Sequence, residues 1–429
     1  MSRRGNAWWP GLVVARSPDR AVSPDRRSRH DTAISDDQTL KLAQIESGTG
    51  TGTGTAKSKS KSKSKSRSRS RSRSKSRNVG KVPGNTPYAP RPTPYAPRPM
   101  PSDTVLVIGS NCFTGSHVVD ALLAQDAGRV IGVSRSPEYA PLFLPYKSRG
   151  SVPFEFHQID IVKDFEDLHS LLQRVRPRVV INVAALSEVG LSNESPIEYF
   201  QINTVAVARL CDFLRRQGWL EQYVHISSAE ILGSCSEPVT EEALFNPSTP
   251  YAVSKAAADM FLNTLASNFG FPATLVRSTN VYGPHQQLFK IIPRTVIYLK
   301  LGRAIELHGG GESVKSFIHV RDVVDGLVRA IETGRTGTYH FSVPSDHTVA
   351  EIVRTICRKM GRDFDACVRT VGQRLGQDSR YWLDCTKARR DLGWSPRIDL
   401  EEGLSQVISW VEEHWSRIRH EPLEYVHRV

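Results

Sequence analysis

From Thr104 onward the chain alternates short, unbroken apolar runs with stretches of helical spacing, and no other feature constrains the fold as much. "TVLVIGS" is an apolar run ending in glycine, followed by the helical pattern of "SHVVDALLAQD" and a second run, "RVIGVSR". "FEFHQIDI", "RPRVVINVAA", "QYVHISS" and "PATLVRSTN" supply a third to a sixth run, with "DFEDLHSLLQRV" and "TVAVARLCDFLRRQ" among the helical stretches between them. Runs that do not alternate with polar residues belong to strands buried on both faces. Strand–helix repetition with such strands predicts an α/β fold, a doubly wound parallel sheet of the Rossmann kind. After about residue 283 the rhythm loosens, which predicts a smaller mixed α/β lobe over the carboxyl edge of the sheet. The expected division is therefore 103–282 for the sheet and 283–429 mainly for that lobe.

The first 102 residues have a different texture. "GTGTGTGT" is followed by Lys or Arg alternating with Ser over residues 57–77, then by a repeated proline unit, "TPYAPRPTPYAPRP". Such a segment buries too little apolar surface to offset its ordering entropy, so 1–102 is expected to be a disordered, basic, low-complexity tail. Of the chain's net charge of +13 the tail accounts for +16, leaving −3 for the rest. The basic character is thus a property of the tail, and an RNA or acidic partner is an expectation for that segment alone. Six scattered cysteines, at 112, 211, 235, 357, 367 and 385, form no C-x-x-C motif. That argues against a metal site or a disulfide framework and for a reducing, cytoplasmic setting. No apolar run reaches the length of a membrane span, and the opening "MSRRGNAWWPGLVVARS" supports organellar targeting only weakly.

"GSNCFTG" joins the first run to the first helical stretch. Glycines at such a turn let the backbone approach a pyrophosphate whose charge rests at the helix N-terminus. Gly109, Cys112, Phe113 and Gly115 are the candidate contacts, with Cys112 where the middle glycine usually stands. The second run closes on Ser134-Arg135 in place of the acidic residue that accepts from the ribose hydroxyls. A guanidinium there suits a 2′-phosphate, so the cofactor is read as NADP or NAD with preference for NADP. Arg135 stacking on adenine, or pointing into solvent, are the alternatives.

Tyr251 and Lys255 stand four apart in "TPYAVSKAAADMFLNTLA", on one helical face. An ammonium beside a phenol is expected to lower its pKa, letting Tyr251 take a proton from a sugar hydroxyl while a nicotinamide takes hydride from the same carbon. Ser228, closing the fifth run, is placed to hold that hydroxyl in line. Y-x-x-x-K alone is common by chance; after a Gly-rich turn and a strand ending in Ser-Ser it is a strong signal.

With these residues in place, the chain resembles the extended short-chain dehydrogenase/reductase family, in its nucleotide-sugar epimerase and 4,6-dehydratase branch. "INVAALSEV", "QINTVAV", "STPYAVSKAAAD", "RSTNVYGPHQ" and "SFIHVRDVVDGL" are similar to that branch over about residues 103–415, and "RLGQDSRYWLD" to a segment with which 4,6-dehydratases grip a diphosphate. The resemblance implies a nucleotide diphosphosugar substrate, oxidation at C4, loss of water across C5–C6, and return of hydride to C6. It puts Glu230 at the place of the base that takes the C5 proton. It puts Ala229 where dTDP-glucose enzymes have an aspartate that protonates the leaving hydroxyl; GDP-mannose enzymes lack it too. The alternative for Glu230 is a loop cap. The resemblance also implies diphosphate or nucleotide contacts from Asn280, Lys290, Lys315, Arg374 and Gln377. It implies an adenine wall from Asp160 and Ile161, a cofactor contact from Ala184, an ordering role for Asn203, and homodimerisation through the helices around 196–216 and 251–267. Competing activities on the same scaffold are C4 epimerisation, reduction and UDP-glucuronate-type decarboxylation. A non-catalytic NADP-binding regulator with a partner-binding tail is the reading of another class.

Overall fold

The computed structural model describes residues 104–425, apart from 126–127, 151–152, 345–346 and 374–377. The basic tail lies outside the described residues, and so do the expectations attached to it.

All six apolar runs form strands: β1 (Val105–Ile108), β2 (Val130–Ser134), β3 (Phe154–Gln158), β4 (Val179–Asn182), β5 (Gln222–Ile226) and β6 (Ala273–Ser278). Further on come β7 (Asn280–Tyr282), β8 (Ile305–His308), β9 (Phe317–His319), β10 (Gly337–Phe341) and β11 (Val368–Val371). The main sheet is parallel throughout, in the order β10-β6-β5-β4-β1-β2-β3. The two-residue period of a strand sends neighbours to opposite faces. Val105 and Val107 accordingly join one core layer, with α1 (Phe113–Ala124), while Leu106 and Ile108 join the other, with α2 (Phe165–Val175). Both layers are closed, which is why these strands read as continuous apolar runs.

The smaller lobe is built on two parallel strand pairs, β7 with β9 and β8 with β11. Its own apolar cluster includes Ile292, Val296, Ile305, Val353, Ile356 and Trp410. Residues beyond 282 do more than form this lobe, because β10 returns to the main sheet and pairs with β6. Among the described residues, no helix is long and apolar enough to cross a membrane.

Strand order reverses between β1 and β4, so the loops leaving their carboxyl ends part there and open a crevice. The candidate residues at 109, 135, 160, 184, 228 and 280 all follow the carboxyl ends of strands along this one edge.

Candidate active site

The turn after β1 is tight because its glycines leave no alternative. Gly109 has φ +87°, and a Cβ added to it would lie 2.7 Å from the Ala184 backbone nitrogen across the crevice. A Cβ on Gly115 would meet the Gly109 carbonyl oxygen at 2.1 Å. Cys112, at the place of the missing glycine, is the N-cap of α1, and its sulfur accepts the Gly115 N–H at 3.3 Å. Burial pushes its thiol up to about 11, so it remains a neutral, small cap. The first turn of α1 thus faces the crevice with backbone close at hand, the arrangement that receives a pyrophosphate.

A cavity of about 450 Å³ runs from this turn along the strand ends, lined by Gly109, Cys112, Phe113, Arg135, Asp160, Ile161 and Ala184 among others. Asp160 is fixed by accepting the Val162 N–H at 2.8 Å, and the Asn182 amide oxygen accepts the Ala184 N–H at 3.1 Å. Ser134 closes β2 and takes the Asn111 N–H at 3.0 Å. Arg135 Nη1 is buried with no hydrogen-bond partner among the described residues. An orphaned guanidinium nitrogen in such a cleft fits an anionic ligand group. Together with the glycine cradle, it fits a dinucleotide.

A second cavity, of about 630 Å³, shares the Cys112–Phe113 wall with the first and reaches Ser228, Glu230, Tyr251, Lys255, Asn280, Lys290 and Lys315. The sequence around Tyr251 explains its position. Thr249 caps α5 (Pro250–Phe269), accepting the Ala252 N–H at 3.2 Å, and Pro250 occupies the first helical position. Tyr251 therefore sits at the start of the helix, and Lys255 follows one turn later on the same face. Asn203 holds this helix from the side: its amide donates to Ser254 Oγ at 3.0 Å and to the Leu186 carbonyl at 3.1 Å, and accepts the Leu186 N–H. Deeper in α5, Asp259 pairs with Arg277 of β6 at 3.0 Å, both fully buried.

The electrostatics depart from the expectation that Lys255 acidifies the phenol. Burial raises the Tyr251 phenol above its ordinary value and the nearby Glu230 charge raises it further, while a hydrogen bond from Ser228 pulls the other way. The Lys255 ammonium donates to the Ile226 carbonyl at 2.6 Å and lies 3.2 Å from His225 Nε2. Burial brings it down to about 8, with Asp259 opposing. His225 is held well below its ordinary pKa by burial and by that ammonium, so it faces Lys255 as a neutral ring.

Glu230 sits in a 3₁₀ turn, Ala229–Leu232, whose cap is Ser228 Oγ, accepting the Glu230 N–H at 3.2 Å. The side chain of Glu230 is thus not the cap of this turn, and it lines the cavity. Enclosure pushes its carboxyl up to about 7, against the pull of Lys315. Lys315 Nζ donates to the Asp378 carbonyl at 2.7 Å and lies 4.2 Å from the Tyr381 ring centroid. Lys290 is ion-paired with Glu188. Arg374 and Gln377 lie outside the described residues.

Sequence reasoning missed several neighbours. Asp378, which accepts from Ser234, Ser248 and Tyr381, lines the second cavity together with Tyr381. Glu188, Glu424 and Tyr425 line both cavities. The only sequence signal for Asp378 and Tyr381 was their membership of "RLGQDSRYWLD", and for Glu188 its place in "INVAALSEV"; Glu424 and Tyr425 had none.

A cleft that combines a glycine-cradled turn with a buried phenol, hydroxyl, ammonium and carboxyl group can move protons at a bound hydroxyl and its neighbouring carbon. Comparison with known proteins points the same way. The model of the GDP-mannose 4,6 dehydratase family matches residues 106–407. A dTDP-glucose 4,6-dehydratase from Mycobacterium tuberculosis is 31% identical over 320 residues, 73% of this chain and 94% of its own. The solved dTDP-glucose 4,6-dehydratase DesIV from Streptomyces venezuelae, with NAD bound, superposes with a TM-score of 0.69 at 30% identity, covering 75% of this chain and 100% of that one. A UDP-glucuronic acid 4-epimerase from Bacillus cereus, solved with UDP-glucuronic acid and NAD, gives 0.67 at 26%, covering 72% and 99%.

Proposed function

The chain belongs to the GDP-mannose 4,6 dehydratase family, and on that premise we propose that it is an NAD(P)-dependent nucleotide-sugar 4,6-dehydratase making an NDP-4-keto-6-deoxyhexose. The observation that carries the reading is the enclosed Glu230 carboxylate in the same cavity as the Ser228–Tyr251 pair. The glycine turn with Arg135, Asp160 and Ala184 would hold the dinucleotide, whose nicotinamide would supply a reversible hydride acceptor and, when oxidised, a positive charge beside the phenol. Tyr251 takes the proton of the C4 hydroxyl, which Ser228 holds in line. Glu230, ionised, takes the C5 proton made acidic by the C4 ketone. With Ala229 unable to donate, Glu230 then hands its proton to the departing C6 hydroxyl, which leaves as water; when hydride reaches C6, C5 takes a proton from solvent in place of the one lost, and Tyr251 releases the proton it accepted. Asn280, Lys290 and Lys315 hold the diphosphate, with Arg374 and Gln377 assigned to it by resemblance.

Incubation with dTDP-glucose, UDP-glucose and GDP-mannose tests this. One of the three is expected to lose one water and to give the alkaline absorbance of a 4-keto-6-deoxysugar. Ala229 favours a second reading, C4 epimerisation, whose outcome is a C4 epimer of unchanged mass.

For the cofactor, Ser134 in place of a carboxylate and the orphaned Arg135 nitrogen support NADP over NAD. Arg135→Leu is expected to weaken NADP binding about tenfold or more, the scale of a lost charge-assisted contact, and NAD binding little. Equal effects on the two dissociation constants would remove the preference. Exposed Ile197, Val205, Val253 and Met260 lie on the two helical regions assigned to a dimer interface. Sedimentation is expected to give twice the 47.8 kDa chain mass; a monomer at micromolar concentration overturns the dimer.

A further inference from the structure

Lys290 is the residue just before α6 (Ile291–Leu301), an eleven-residue helix whose N-terminus opens on the larger cavity. An ammonium joined to the orphan N–H groups of a helix start is a seat for an anion. The ammonium is already engaged within the chain, because the Glu188 carboxylate, from the loop after β4, is ion-paired with Lys290, while no side chain caps the start of α6. The main chain of Glu188 is pinned, since its carbonyl accepts the Tyr199 hydroxyl at 2.6 Å. Its side chain is 26% exposed and that of Lys290 32%, which leaves the pair accessible from the cavity. The pair also bridges the loop after β4 and the start of α6 across the larger cavity.

We propose that Glu188 is a built-in competitor for the diphosphate of the substrate: it neutralises Lys290 in the empty site and is displaced when a nucleoside diphosphate arrives. The inference rests on the functional reading above, in which this cavity takes a nucleotide diphosphosugar. A ligand with one negative charge repays the loss of the Glu188–Lys290 pair with a single equivalent contact. A diphosphate brings more charge than the carboxylate it displaces, so the pair discriminates between them. Once displaced, the Glu188 charge is no longer neutralised and remains near Glu230 and Tyr251, on which it already acts.

The test is a double-mutant cycle read by titration calorimetry on the full chain, with UDP, dTDP and GDP as probes. Lys290→Met is expected to weaken whichever of these binds. Glu188→Gln is expected to tighten it about threefold, the scale of a part-exposed ion pair. In the Lys290→Met background the tightening is expected to vanish. If Lys290→Met weakens binding while Glu188→Gln leaves it unchanged or weaker, this inference fails and the functional reading stands. Tightening that persists without Lys290 also overturns it. If none of the three diphosphates binds the wild-type chain, the functional reading fails and takes the inference with it.

Discussion

Replacing Tyr251 with phenylalanine is expected to lower kcat on the active nucleotide sugar about 10³-fold, within the range of a lost general acid–base group. The substitution removes one oxygen and keeps the ring, which packs edge-on against Tyr199 at 6.3 Å between centroids. Thermal unfolding should therefore be little changed, and the loss should fall on C4 oxidation. In the absence of ligand the phenol is neutral, raised by burial and by carboxylate charge, so in the proposed reaction its acceptance of a proton requires positive charge in the pocket. Single-turnover rates for the two proteins check the prediction. If they behaved alike on every nucleotide sugar, the chain would be a binding protein rather than an enzyme.

Glu230→Gln separates the second step from the first. C4 oxidation should survive, whereas exchange of the C5 hydrogen with deuterated solvent should fall about 10²- to 10⁴-fold. The pH dependence has a definite sign. Glu230 has to be ionised to take the proton, and its carboxyl is pushed up to about 7. Wild-type exchange should therefore rise as pH increases through about 7 and level off above it, and the glutamine variant should lack that rise. Mass spectrometry of the recovered sugar reads the exchange directly. Unchanged exchange in the variant would remove Glu230 from the mechanism.

Much of this site was legible because local chemistry fixes it. The apolar runs marked strand ends, and the four-residue spacing of Tyr251 and Lys255 set both on one helix face, to which the structure adds the Thr249-Pro250 start. Cys112 broke the glycine pattern without breaking the turn, because a small side chain can cap the helix from that position. What was not legible depends on distant segments. Where the Lys255 ammonium points is decided by the Ile226 carbonyl and His225 on the neighbouring strand, not by its spacing from Tyr251. Glu188 meets Lys290 across 102 residues of sequence, and Asp378 reaches Ser248 across 130. The strand β10, "GTYHF", lacks a continuous apolar run, and only its pairing with β6 makes it part of the sheet.

That last strand makes the order of synthesis matter. A ribosome that has released residues up to 282 has produced six of the seven main strands, with β6 still a bare margin offering unpaired backbone groups to any other chain. The margin is covered only after the smaller lobe has been made and residues 337–341 have emerged. A nascent chain stalled before residue 337 therefore keeps that margin open, and pairing of this edge with another chain is the aggregation route such a stall exposes.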